Sequence, residues 1–102
     1  MLELRPGCEN CNRDLAPDST DAMICSYECT FCHDCVEGVL LGVCPNCGGG
    51  FERRPVRVAN AYRDAVSLAH HPARVERKHR PVDAAAHARF AAAIRDVAPE
   101  RR

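Results

Sequence analysis

The chain has no tryptophan and only five aromatic side chains, Tyr27, Phe31, Phe51, Tyr62 and Phe90, among its 102 residues. A core built on large rings is therefore excluded. No apolar run approaches the roughly 20 residues that cross a membrane as a helix, and the opening Met1-Leu2-Glu3-Leu4-Arg5-Pro6 lacks the basic head and apolar stretch of a secretory leader. A cytoplasmic chain is the expectation. Basic residues are nearly missing from the first half. Residues 1–50 carry only Arg5 and Arg13 against eight acidic side chains, whereas residues 51–102 carry twelve basic against six acidic. The formal charge of zero thus hides an acidic head and a basic tail.

What the chain has in quantity is cysteine. Eight cysteines fall into four pairs, Cys8/Cys11, Cys25/Cys29, Cys32/Cys35 and Cys44/Cys47, three spaced C-x-x-C and one C-x-x-x-C. A tight turn of this kind aims two sulfurs at one point, which is half of a tetrahedral metal site. Four such turns make two sites of four thiolates each, and Zn²⁺ is the ion that a closed set of soft thiolates suits. Four disulfides are the competing use of eight cysteines, but paired spacing in a reduced compartment reads as metal binding. Two Zn²⁺ and eight thiolates would move the formal charge from zero to about −4. A head this short cannot bury a self-sufficient core and needs such a staple.

Two connectivities are open. A sequential arrangement would join the first two pairs at one ion and the last two at the other. An interleaved arrangement would place Cys8, Cys11, Cys32 and Cys35 on the first zinc and Cys25, Cys29, Cys44 and Cys47 on the second. Spacing favours interleaving, because only Thr30 and Phe31 separate Cys29 from Cys32 and Phe31 can wedge between the sites. All-thiolate sites leave no open position for water or substrate, so the metals are expected to be structural and the chain is not expected to be an enzyme.

Around these pairs the sequence predicts little regular structure. Ala22-Met23-Ile24 and Thr30-Phe31 read as two short strands, and residues 51–54 as a third. Val36, Val39 and Leu40 form the apolar stripe of a short helix, with Gly42 near its end. Of Leu40 and Leu41, one is expected to stay exposed as a docking residue. In the tail, Val58, Tyr62, Val66 and Ala69 have helical spacing, and Pro72 closes that segment. Asp83 is placed to cap a second helix carrying Phe90, Ile94 and Val97, which Pro99 stops. The division expected is a two-zinc domain over 1–55 and a helical, Ala/Arg-rich basic tail over 56–102. His33, His70, His71, His79 and His87 are expected to be solvated side chains rather than ligands.

The run Cys29-Thr30-Phe31-Cys32-His33-Asp34-Cys35-Val36, followed by Cys44-Pro45-Asn46-Cys47, resembles the second half of a RING finger. More narrowly, residues 1–80 resemble an uncharacterised bacterial family of short RING-like, cysteine-rich zinc proteins, a domain of unknown function. The resemblance implies a small metal-stabilised α+β fold, a cross-brace with two zinc ions, and brings no activity with it. RING fingers that act as ubiquitin ligases carry an apolar residue between the first two ligands and a basic one after the last. Here those places hold Glu9-Asn10 and Gly48, which argues against ligase function. A protein-interaction or regulatory adaptor is the favoured role. Nucleic-acid binding through Arg53, Arg54, Arg57, Arg63, Arg74, Arg77, Lys78 and Arg80 is the alternative, and thiol-based sensing ranks last.

Overall fold

Each stretch between cysteine pairs is too short for more than a turn or a few residues of strand, and the structure follows that limit. A computed structural model describes all of residues 1–102. Strand β1 (Ala22–Ile24) pairs antiparallel with β2 (Thr30–Cys32), Met23 facing Phe31 across the ladder. The other edge of β1 takes β3 (Glu52–Arg53), so the sheet order is β2-β1-β3. Helix α1 (His33–Gly38) starts directly from β2, with Cys32 as its N-cap residue. It begins three residues earlier than the apolar stripe alone suggests, and it ends before Leu40. Gly42 donates its N–H back to Val36 O, and Leu41 and Gly42 both adopt positive φ, 57° and 72°. This left-handed exit turns Leu40 under the helix, where it is fully buried, while Leu41 is only partly covered.

The core that results is narrow. Only 21 of 102 residues are buried, and six of the eleven in the central cluster are cysteines: Cys8, Cys25, Cys29, Cys32, Cys35 and Cys44. Leu15, Phe31, Val36 and Leu40 supply most of the remaining apolar volume. Phe31 is 1% exposed and meets Phe51 edge to face, ring centroids 5.6 Å apart.

The tail differs from expectation in two respects. Residues 57–71 form turns rather than a helix. Leu68 N–H bonds Val58 O, Ala65 has φ 60°, and Val58, Tyr62 and Val66 are exposed. Their stripe had one side chain per turn and nothing to bury it against, and β-branched valines do not hold a helix by propensity alone. The second expected helix does form, as α2 (Ala84–Ala91), and the Asp83 carboxylate accepts from Ala86 N–H at 3.0 Å. It buries His87 and Ala91, whereas Phe90 is exposed and Ile94 and Val97 lie beyond the helix in turns. A single 3₁₀ turn (Pro99–Arg101) ends the chain.

The tail lies along the head and is fastened to it by arginine and backbone. Arg54 is 1% exposed and donates to Arg5 O, Leu15 O and Ala16 O. Arg57 bridges Leu2 O and His71 O, Arg77 reaches Asn12 O and Asn12 Oδ1, and Arg102 reaches Gly42 O and Gly48 O. The radius of gyration, 14.6 Å, exceeds the roughly 13 Å of a typical globule of this length, as a strap around a small head requires.

Candidate metal centre

The first knuckle, Cys8 to Cys11, is closed by Asn12 N–H to Cys8 O and Cys8 N–H to Arg13 O, with Asn12 in the left-handed region at φ 63°. The third pair is carried differently. Cys32 ends β2 and Cys35 lies one turn into α1, so the strand-to-helix junction sets their separation. These two elements bring the sulfurs of Cys8, Cys11, Cys32 and Cys35 within 4.8 Å of one another. The Cys11–Cys32 Sγ separation is 3.7 Å. A tetrahedron with metal–sulfur bonds of about 2.3 Å has edges of about 3.8 Å, so the cluster has the dimensions of a zinc tetrathiolate.

The second cluster gathers Cys25, Cys44 and Cys47 within the same limit. Cys29, expected as its fourth member, is not within 4.8 Å of all three but adjoins them: it is buried, its thiol interacts with that of Cys25, and its backbone carbonyl accepts from Cys25 N–H. The fourth knuckle is drawn tight by Gly48 N–H to Cys44 O and Cys44 N–H to Gly49 O, and Gly48 needs its φ of 77°. None of the five histidines joins either cluster.

Hydrogen bonding at the sulfurs agrees with a thiolate role. Backbone N–H groups of Cys11, Tyr27, Asn46 and Gly49 point at the sulfurs of Cys8, Cys25, Cys44 and Cys47, at 3.3 to 3.5 Å. Two side chains add to these. Asn10 Nδ2 donates to Cys35 Sγ at 3.2 Å, and Asn46 Nδ2 donates to Cys29 Sγ at 3.4 Å. In each case an asparagine inside one knuckle reaches a sulfur of the pair that faces it. Donors converging on sulfur compensate negative charge on a ligand and fix its orientation.

With protons on the sulfurs, burial dominates their acidity. Desolvation pushes the Cys32 and Cys44 thiols far up and raises Cys29 and Cys35 as well, against the opposing pull of the N–H groups. Cys11 goes the other way. Its smaller desolvation is outweighed by the Arg13 backbone N–H and by the neighbouring thiols of Cys8, Cys32 and Cys35. Neutral buried thiols such as Cys32 and Cys44 are costly to ionise unless a cation takes the charge, and each cluster contains one.

Several residues that shape the centre are absent from any reading of cysteine spacing. Glu9 is 4% exposed, pairs with Arg5 at 3.0 Å and accepts Thr30 N–H, so it ties the first knuckle to β2. His87 was expected in solvent; it is buried, with Nε2 2.8 Å from Leu40 O. Leu40 O already accepts Val43 N–H at 3.0 Å, and α2 brings His87 to it as a second partner. His70 and His79 are also engaged, with Ser67 Oγ and Asn10 O, while His33 faces Glu37 on the surface. One signal for the asparagines was in the sequence: Cys-x-Asn-Cys occurs twice, at 8–11 and 44–47.

No solved structure matches the chain. The uncharacterized protein R02474 of Rhizobium meliloti (strain 1021) is 67% identical over 60 residues, which cover 59% of this chain and 71% of that protein. Residues 1–57 match the family described as "Protein of unknown function (DUF1272)", a narrower stretch than the 1–80 expected from resemblance. That stretch contains all eight cysteines and both knuckle asparagines, and the chain belongs to this family.

Proposed function

We propose that the chain is a zinc-stapled protein-interaction module, with two Zn²⁺ ions in a RING-like cross-brace and no catalytic role of its own. Cys8, Cys11, Cys32 and Cys35 would hold the first ion, and Cys25, Cys29, Cys44 and Cys47 the second. The single observation that carries the reading is the first cluster, where two pairs 21 residues apart in sequence, Cys11 and Cys32, meet at the 3.7 Å edge of a tetrathiolate. The role of the ions is to fix the relative placement of β2, α1 and the knuckles, because four thiolates fill the coordination sphere and leave no position for a reacting water.

Support for the interaction role is of two kinds. Tyr27, Tyr62, Val75 and Phe90 are exposed on a small, rigidly braced body, and tyrosine is the type of side chain that interfaces favour. Of the eight basic side chains named for nucleic acid, Arg54, Arg57 and Arg77 bond carbonyls of the head and of the tail itself, which engages three of them and weakens the nucleic-acid alternative. A ligase role is disfavoured for a local reason: Glu9, where a ligase would show an apolar contact, is buried in an ion pair with Arg5.

Native mass spectrometry of the full chain purified gently from its own cells tests this directly. Two zinc ions with a stoichiometric protein partner is the expected result. Two zinc ions with nucleic acid would move the assignment to the alternative. A metal-free mass eight hydrogens below that of the reduced chain would mean four disulfides and would end the zinc reading.

A further inference from the structure

The two thiol clusters are unequal, and the inequality begins in the sequence. Only the second pair has three intervening residues, Ser26, Tyr27 and Glu28. The additional residue is absorbed by Glu28 at φ 67°, a left-handed conformation that side-chain-bearing residues avoid. Cys29 is thereby set at the mouth of β2, outside the 4.8 Å grouping of Cys25, Cys44 and Cys47. Its thiol is directed toward that group by Asn46 Nδ2, at 3.4 Å.

The first cluster is more firmly tied by comparison, although Cys11 itself is exposed, as Cys47 is in the second. Asn10, which donates to Cys35 Sγ, also accepts Val82 N–H on Oδ1 at 2.8 Å, so both ends of its amide are fixed. The strap adds Arg80 N–H to Glu9 O, at 2.7 Å, and Arg77 to Asn12 O, at 2.6 Å. Asn46 has no such bond from the strap and is exposed. A cleft of about 410 Å³ lined by Tyr27, Asn46 and Cys47 opens beside the second cluster, whereas no cleft opens on Cys11.

We propose that the second site is the exchangeable one: its ion enters and leaves through the Tyr27–Asn46–Cys47 cleft, Cys29 is the ligand that releases first, and Asn46 is the positioning residue that holds Cys29 in place. The ion at Cys8, Cys11, Cys32 and Cys35 stays as the permanent staple. This rests on the zinc reading above and adds an order of release to it. The step is a ligand exchange without electron transfer. Cys29 would give up its place on the metal and take a proton from solvent, and an incoming chelating ligand would supply the replacement donor.

The experiment is native mass spectrometry of the zinc-loaded full chain during competition with EDTA, paired with pulsed N-ethylmaleimide labelling and peptide mapping. The expected course is accumulation of a one-ion species in which Cys29 is labelled first, followed by Cys25, Cys44 and Cys47, with Cys8, Cys11, Cys32 and Cys35 protected. Asn46→Ala should speed loss of that ion about tenfold, the low end of what outer contacts to metal ligands contribute, and Val75→Ala, at an exposed residue away from both clusters, should leave its rate unchanged. Cys29→Ser should retain one ion; if that variant does not fold, the Asn46→Ala rate still decides. Departure of both ions in one step, first labelling within the Cys8/Cys11/Cys32/Cys35 set, or an unchanged rate in Asn46→Ala would each overturn the proposal while leaving two zinc sites standing. A chain that takes up no zinc at all would instead overturn the reading beneath it.

Discussion

Arg54 shows how much a single side chain carries in a molecule with so thin a core. It is the largest fully buried side chain, it has no carboxylate partner, and its guanidinium serves three carbonyls from two separate loops. Arg54→Met keeps the volume but strands Arg5 O and Leu15 O, while Ala16 O keeps Ser19 N–H, and each unsatisfied buried carbonyl costs about 1–3 kcal/mol. A loss of about 2 kcal/mol or more is expected in urea denaturation of the zinc-loaded protein; a loss under about 1 kcal/mol would mean that water replaces the guanidinium without penalty. The cysteines act at the same scale with a larger stake. Structural zinc contributes about 10–16 kcal/mol in small folds, against about 1.5–3 for each buried large apolar side chain. Cys32→Ser, at the first site, should therefore abolish the circular dichroism of the folded head, whereas His33→Ala, on an exposed residue, should not change it.

At the level of elements, what the sequence made legible followed from spacing, and what it hid depended on contacts between distant segments. The strands over 22–24 and 30–32 were readable because the cysteine pairs leave room for nothing longer and Ala22, Met23 and Ile24 have no turn residue among them. Asp83 was readable because its carboxylate faces an N–H three residues on in its own chain. The same rules failed over 57–71, where helical spacing was real but no surface existed to reward it, and at His87, whose partner Leu40 O lies 47 residues away. The first cluster's membership was legible from interleaved spacing; how closely Cys29 joins Cys25, Cys44 and Cys47 was not, since its C-x-x-x-C turn carries an additional residue and Glu28 at φ 67°. Helix α2 owes its position to that cap and to the His87 contact. Asp83→Ala should cost about 1 kcal/mol, and His87→Ala more, because it removes a buried ring together with its bond to Leu40 O, which keeps only Val43 N–H. The discriminating readout is hydrogen exchange: Asp83→Ala should raise exchange across residues 84–91 alone, whereas His87→Ala should raise it at the Leu40 turn as well.

For the whole molecule, the sign of the pH dependence separates a metal-stapled fold from any other way of using eight cysteines. Without an ion, burial raises the Cys32 and Cys44 thiols above their ordinary value of 9.0, while the unfolded chain ionises near that value. Between the two, the unfolded state carries fewer protons than the folded one. Whatever structure persists in chelator is thus at full stability below about pH 8, and loses it as pH climbs through 9 and beyond. With zinc bound the same sulfurs are thiolates, their folded-state acidity lies far below the unfolded value, and the sign reverses: stability is held above the ordinary thiol range and lost as acid protonates the ligands. Thermal melts under reducing conditions should therefore show a midpoint falling from pH 7 to pH 5 with zinc, and from pH 8 to pH 10 with EDTA. Zinc uptake at pH 7 in weak buffer should also release protons, because the buried thiols hold theirs until the ion arrives. A disulfide-linked chain has no titrating sulfurs and would show neither slope, so a melting midpoint flat in acid would remove the metal from the account of this fold.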